Sequence, residues 1–338
     1  MSEPDGSAAI PATDLGTIGL VVIGRNEGER LVRCLTSIPA GTGPVVYVDS
    51  GSTDGSPARA KALGAIVVEL DMSRPFSAAR GRNAGYRRLL EAAPDTTLVQ
   101  FVDGDCALAS DWLAAARRFL AATPDTAVVF GRRLETNLDT SVYNRLCDAE
   151  WAIAPGEVRS CGGDAMVRVA AFSAVGGFRD DLIAGEEPEM CVRLRQTGWR
   201  IFCVDHPMTY HDAAITRFSQ WWRRAVRCGY AFAQGAYLHG TPPERHCVQE
   251  ARRAWIWGAG LPTAIAAAAL VAGPAALSLS LIYPLQIARL YLRRRSTMRD
   301  PLMVSTFHVL GRFPEVVGQL RFERDRIFGR QARLIEYK

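Results

Sequence analysis

The triplet Asp103-Gly104-Asp105 holds two carboxylates one residue apart, directly after the apolar run Leu98 to Val102. Two hard oxygen donors on a turn suit a divalent cation. Mg2+ in particular takes oxygen ligands and divides itself between one or two carboxylates and substrate phosphates. Gly104 between them lets a diphosphate come close to the backbone. The plainer alternative is that Asp105 or Ser110 caps the helix that follows. Two more polar clusters stand upstream, each after an apolar run: Arg25-Asn26-Glu27, and Asp49-Ser50-Gly51-Ser52.

Such clusters need a scaffold, and the spacing of apolar residues supplies one. Short apolar runs at Ile18–Gly24, 44–50, 65–70 and 97–105 alternate with helical spacing at Glu27–Ile38, Pro57–Leu63 and Ser77–Ala92. That alternation predicts an α/β domain, its mainly parallel sheet covered by helices on both faces. In such sheets ligands sit beyond the carboxyl ends of the strands, where all three clusters fall. The expected organisation is a disordered segment over 1–16, a nucleotide-binding half over 17–130 and an acceptor-binding half over 131–240. In the second half Glu187–Gln196 reads as a helix ended by Gly198, and "WRIFCVD" as a strand.

The last third has another character. From residue 254 to 288 there is no charged side chain. A run of 35 uncharged positions exceeds the roughly 20 residues that cross a bilayer. Arg252 and Arg253 precede it and Arg289, Arg293, Arg294 and Arg295 follow. Basic flanks stay on the cytoplasmic side, so a helical hairpin broken at Gly273-Pro274 is expected over 241–292. The tail 293–338 is basic, and Val316, Leu320, Ile327 and Leu334 suggest an amphipathic helix on an anionic surface. Net charge is +5, and from Gln286 onward twelve basic residues stand against five acidic ones. No nucleic-acid partner is expected. Eight cysteines without a CxxC pair, and no apolar leader at the N-terminus, point to reduced thiols. Cys203-x-x-His206 would be half a zinc site, but no second half appears.

Taken in order, "VVIGRNEGERLVRCLTSI", "VVYVDSGSTDGS", "AARGRNAGY", "VQFVDGDC" and "GEEPEMCVRLRQTGW" resemble glycosyltransferase family 2 over residues 18–235. The resemblance implies the GT-A fold, a nucleotide-diphosphate sugar donor, a divalent cation (Mg2+ or Mn2+) and inverting displacement at the anomeric carbon. It also implies roles. Asn26, Glu27 and Asp49 would lie at the nucleotide. Arg82 and Asn83, with Arg80 as a competitor, would flank nucleotide and diphosphate. Asp103 and Asp105 would hold the metal, with Gly104 against the donor and His211 as a further ligand. Relatives place Glu-Asp where this chain has Glu186-Glu187. Glu187 aligns with the base that deprotonates the acceptor hydroxyl, and Glu186 stays open as an alternative. Both could also simply favour the positive end of a helix.

"QWWRR" is similar to the Q-x-x-R-W motif of processive members: Gln220 and Arg223 match, but Arg224 replaces the tryptophan. With one hydrophobic region only, a non-processive enzyme adding a single sugar is expected. Gln220, Arg223 and Arg224 would approach the acceptor or diphosphate. A lipid-linked acceptor at the cytoplasmic face of a bacterial inner membrane, serving surface polysaccharide or glycolipid synthesis, fits the hydrophobic region. A dinucleotide-binding oxidoreductase fits less well, because "GRNEGE" is not G-x-G-x-x-G. A non-catalytic, membrane-docked sugar-binding relative would be expected to have lost its acids, and these are present.

Overall fold

The computed structural model describes residues 15–330 and 333–336. The segment 1–16, expected to be disordered, lies almost wholly outside them. The first half is the alternation expected. Strand β1 (Thr17–Gly24) leads to helix α1 (Glu29–Thr36), β2 (Val45–Asp49) to α2 (Ser56–Ala62), and β3 (Ile66–Glu69) to α3 (Ala78–Ala92). Then β4 (Thr96–Asp103) delivers the Asp-Gly-Asp turn. These four strands pair in parallel in the order β3-β2-β1-β4. Leu20, Val21, Val22, Val46, Val48, Leu98 and Val99 are fully buried in them, as strands covered on both faces require.

Helix α3 lies hard against this sheet. A Cβ on Gly85 would come within 2.4 Å of Val21 and 2.8 Å of Val48. Only glycine allows that approach, and it fixes the height at which Arg82 and Asn83, one turn earlier, meet the strand ends. Ser77 caps the helix, accepting the Arg80 N–H.

The second half turns the sheet mixed. After β5 (Cys106–Leu108) and α4 (Trp112–Ala122) come β6 (Thr126–Glu135), α5 (Val142–Trp151), β7 (Gly156–Val158), β8 (Ala165–Arg168) and α6 (Val169–Ala174). Helix α7 (Glu186–Gln196) and strand β9 (Arg200–His211) complete it. The full order is β3-β2-β1-β4-β8-β6-β9-β5, with β7 also on β9; β8 runs antiparallel between β4 and β6. Two features were not legible in advance. β9 continues six residues past Asp205 to His211, and β5 forms at all, antiparallel to its end.

Helix α8 (Phe218–His239) then runs past α7, where His239 Nε2 lies 2.9 Å from Glu189 Oε1, and α9 (Val248–Trp255) continues through a π-helical stretch, Ile256–Gly260, into α10 (Leu261–Ala272). Gly273, at φ 89°, turns the chain, and a 3-10 stretch from Pro274 to Leu281 leads into α11 (Ile282–Arg294). The helices Val248–Ala272 and Pro274–Arg294 are each long and apolar enough to cross a membrane. Their outer ends are uncovered: Leu270 and Val271 are 88% and 90% exposed. The Tyr283 hydroxyl donates to the Trp257 carbonyl (2.7 Å) and ties the two arms together.

The basic tail forms α12 (Pro301–Leu310) and α13 (Arg312–Ile327). The stripe expected to face a membrane surface is split: Val316 is buried, while Leu320 and Ile327 are exposed. The face of α13 that buries Pro314, Val316, Gly318, Gln319 and Phe322 packs along α8 and against the start of the hairpin instead, where Gln319 Nε2 donates to the Ala251 carbonyl. Backbones touch there. A Cβ on Gly229 would meet the Glu315 carbonyl at 2.0 Å, and one on Gly318 the Val226 carbonyl at the same distance. A backbone oxygen cannot swing aside. Gly318→Ala is therefore expected to destabilise by about 1–3 kcal/mol through overpacking, outweighing the roughly 1 kcal/mol that alanine gains over glycine in a helix. A thermal melt in detergent, expected to shift downward, checks it.

Candidate active site

The Asp-Gly-Asp turn sits under β1: the Gly104 N–H donates to the Ile23 carbonyl (2.8 Å) and so carries the β1·β4 ladder past Asp103. The Asp103 N–H is held by Asp164 Oδ1 at 2.8 Å. Both of its carboxylate oxygens face guanidiniums, Oδ1 on Arg82 Nη2 (2.8 Å) and Oδ2 on Arg133 (3.3 and 3.4 Å). Burial acts to raise the Asp103 pKa, but Arg82 and Arg133 hold it below the usual carboxylate range. Arg133 also lies 3.8 Å from Asp105 and 3.6 Å from Asp164, its guanidinium 4.8 Å over the Trp151 ring.

Asp105 points the other way, toward β9. Register pairs Cys106 with His211, and the Asp212 N–H donates to the Asp105 carbonyl. His211 Nε2 thereby stands 3.5 Å from Asp105 Oδ2. Asp105, Cys106 and His211 offer ligand atoms within 4.8 Å of one another, all buried. Burial pushes the Cys106 thiol well up, and carboxylate and imidazole are the harder donors of the three. That oxygen–nitrogen set fits a borderline divalent cation such as Mn2+.

Across the site, α7 begins after Gly185, a positive-φ glycine (79°), and presents Glu186 and Glu187 together. Arg82 Nη1 donates to both, at 2.7 and 2.8 Å. One buried guanidinium thus joins the Asp-Gly-Asp turn to the two acids of α7. Burial and the neighbouring Glu186 raise Glu187 to about 7, against the pull of Arg82. Gly163 borders all three groups: a Cβ there would lie 2.3 Å from Arg82 Nη2, 3.0 Å from Asp103 Oδ2 and 3.2 Å from Glu187 Oε1. Among the described residues, Asp103, Asp105, Asp164, Glu186 and Glu187 gather around Arg82 and Arg133.

The other expected residues are engaged in contacts of their own. Asp49 accepts from the Gly51 and Ser52 N–H groups and from the Tyr47 hydroxyl, shaping the loop after β2. Asn26, at φ 55°, accepts from the Thr53 N–H, and Glu27 pairs with Arg30. Arg80 donates to the carbonyls of Asp71, Arg74 and Pro75 and so ties down the loop before α3. Asn83 donates to the Phe178 carbonyl and Asp180 and accepts the Phe178 N–H, which fixes the loop leading to α7. Gln220 accepts from Thr216 and Arg217 N–H and caps α8; Arg223 bonds the Ser219 carbonyl, and Arg224 pairs with Glu150. Cys203 and His206 turn to different partners, Ile153 and Asp111.

Sequence reasoning missed Arg133, Asp164 and Glu135. The signal for two of them was present in "GRRLE", where Arg133 and Glu135 share one strand face beside an otherwise apolar run.

Comparison with known proteins bears on the family and the fold. The family model "Glycosyl transferase family 2" matches residues 20–176. Succinoglycan biosynthesis protein ExoA of Rhizobium meliloti is 27% identical over 202 residues, 55% of this chain and 58% of that protein. Beta-monoglucosyldiacylglycerol synthase of Synechocystis sp. is 24% identical over 235 residues, 64% of this chain and 47% of that protein. The chain thus spans about half the length of these curated relatives. Among solved structures, the mannosyltransferase PcManGT of Pyrobaculum calidifontis, in complex with GDP-Man and Mn2+, superposes with a TM-score of 0.60 at 23% identity. That match covers 94% of this chain and 90% of that one, and it shows a shared GT-A fold.

Proposed function

The chain carries a glycosyl transferase family 2 domain over residues 20–176, and from that premise we propose that it moves one sugar from a nucleotide-diphosphate donor to an acceptor hydroxyl, with inversion. The observation that carries this reading is Arg82, bound at once to Asp103 and to Glu187. It places a charge-compensating centre and a candidate base on opposite sides of one guanidinium.

Asp105 and His211 are the residues that would hold a divalent cation, with Asp103 beside them. Bound there, the ion supplies positive charge for the leaving diphosphate. The chain's own part is positional and acid–base. Glu187 takes the acceptor hydroxyl proton as the oxygen attacks the anomeric carbon, and the bond to the diphosphate breaks with its electron pair. A carboxylate raised to about 7 is a base matched to neutral pH. Glu186 keeps Arg82 beside Glu187. Arg82 and Arg133 offer fixed positive charge where negative charge develops. Asn26, Glu27, Asp49 and Arg80 shape the strand-end loops in which the nucleotide would lie.

The acceptor we propose is lipid-linked, and the reaction belongs to surface polysaccharide or glycolipid synthesis. Support comes from α8, which passes Gly185 closely enough that a Cβ there would sit 3.3 Å from Ala231, and which then leads toward the exposed apolar hairpin. Basic residues on both flanks of the hairpin favour the cytoplasmic face.

The test is the melting temperature of the full chain in detergent with UDP, GDP or TDP, each with and without Mn2+. A ligand at a hundred times its Kd stabilises by about 2.7 kcal/mol. A Mn2+-dependent rise with one nucleotide is expected and names the donor's base. No rise with any of them, in folded protein, would leave a non-catalytic sugar-binding relative as the better reading.

A further inference from the structure

Glu135 and His211 face each other across the parallel β6·β9 ladder as register partners. Both are buried, and Glu135 Oε2 lies 2.8 Å from His211 Nδ1. A carboxylate only accepts, so Nδ1 carries the hydrogen and donates it. Nε2 is then the ring nitrogen that faces Asp105 Oδ2, at 3.5 Å. The gap between that ring nitrogen and the carboxylate is where a cation would take a ligand from each. The rest of the contacts keep the carboxylate from turning away. Glu135 Oε1 accepts from the Ala213 N–H (3.2 Å) and the Asn137 N–H (3.5 Å), which leaves Oε2 to the ring. The Thr136 N–H and hydroxyl both donate to the His211 carbonyl, each at 2.9 Å, and fix the backbone.

We propose that Glu135 is a positioning residue that locks His211 in the tautomer whose Nε2 can bind a divalent cation together with Asp105. This rests on the proposed reading of Asp105 and His211 as the cation site. A purely structural Glu135 would seat the segment after His211 through Oε1 alone, and glutamine separates the two roles. In Glu135→Gln the amide oxygen can still accept from Ala213 and Asn137. The amide nitrogen now donates to Nδ1, so the ring hydrogen moves to Nε2 and points at Asp105. The apo site is satisfied, and the cation is shut out.

The measurement is Mn2+ affinity by electron paramagnetic resonance, on the full chain in detergent with the nucleoside diphosphate that raises its melting temperature. Glu135→Gln is expected to weaken Mn2+ by 10–100-fold, the usual effect of losing the partner that orients a metal-bound histidine. Its melting temperature without metal should match wild type. In a His211→Ala background the same change should add nothing. Mn2+ affinity within twofold of wild type, or an equal further loss without His211, would overturn the role of Glu135 and leave the cation site standing. Wild-type protein that binds nucleotide but no Mn2+ would overturn the site and this proposal together. Should the glutamine variant not fold, the tautomer is read on wild type: long-range 15N–1H correlation is expected to show His211 protonated at Nδ1, and an Nε2–H form in the neutral ring would contradict the assignment.

Discussion

Asp105→Asn abolishes sugar transfer, with kcat down at least about 10²–10³-fold, while the protein melts within a few degrees of wild type. The loss follows from charge rather than shape. Asparagine is nearly isosteric, but it removes one anionic donor from the pair facing His211. Removing a single preorganised electrostatic partner of the transition state typically costs that much. The fold is spared for a reason visible in the site. Asp105, Asp103 and Asp164 crowd one guanidinium, so neutralising Asp105 relieves like-charge repulsion, and Arg133 keeps Asp103 and Asp164. The new amide can also donate to His211 Nε2. Product formation from the donor found by the melting screen, set beside the melt of the variant, decides the matter. Wild-type turnover in the variant would sink the assignment of Asp105.

Glu187→Gln lowers kcat by about 10²–10⁴-fold, the contribution of a positioned general base, and leaves donor binding at the level that wild type shows with Glu187 protonated. Glutamine keeps an acceptor for Arg82 Nη1, so the guanidinium stays in place and only proton acceptance is lost. Glu186→Gln should cost less in kcat; the reverse ranking would move the base to Glu186. The pH dependence has a definite sign. Glu187 is raised to about 7, chiefly by burial, so its basic form is lost as pH falls below 7. Wild-type kcat should then drop tenfold per unit on the acid side and level off above. Stability runs the opposite way. The ionised form is the one that burial disfavours, so this group's contribution is full at acid pH and is given up as pH rises through about 7. Glu187→Gln should remove that slope from the apo protein's melting profile.

How much of this was visible in the sequence depended on which signal each element carried. The first four strands and three helices alternate as period-2 and period-3.6 segments, and their polar residues stand at the strand ends where the structure places the site. The 35-residue uncharged run announced a hairpin. Less legible were the parts made by long-range pairing. Arg133 and Glu135 look like the solvent face of an alternating strand. They are buried because β8 reverses direction between β4 and β6 and brings β6 close to the acidic turn. His211 appeared only through a resemblance, since nothing local says that β9 runs on to meet β5. The docking of α13 on α8 relies on Gly229 and Gly318, which contribute close approach and no hydrophobic pattern.

Arg82 has a thermodynamic consequence. A single guanidinium neutralises Asp103 on one side and Glu187 on the other. Whatever engages that guanidinium near Asp103 changes how tightly Glu187 holds a proton. Free energies of binding are reciprocal, so the proton on Glu187 must change that ligand's affinity by the same factor. Donor dissociation constants should therefore drift with pH across neutrality, though Glu187 never touches the donor. Proton uptake or release on donor binding, read as a buffer-dependent heat, would measure the same quantity from the other side.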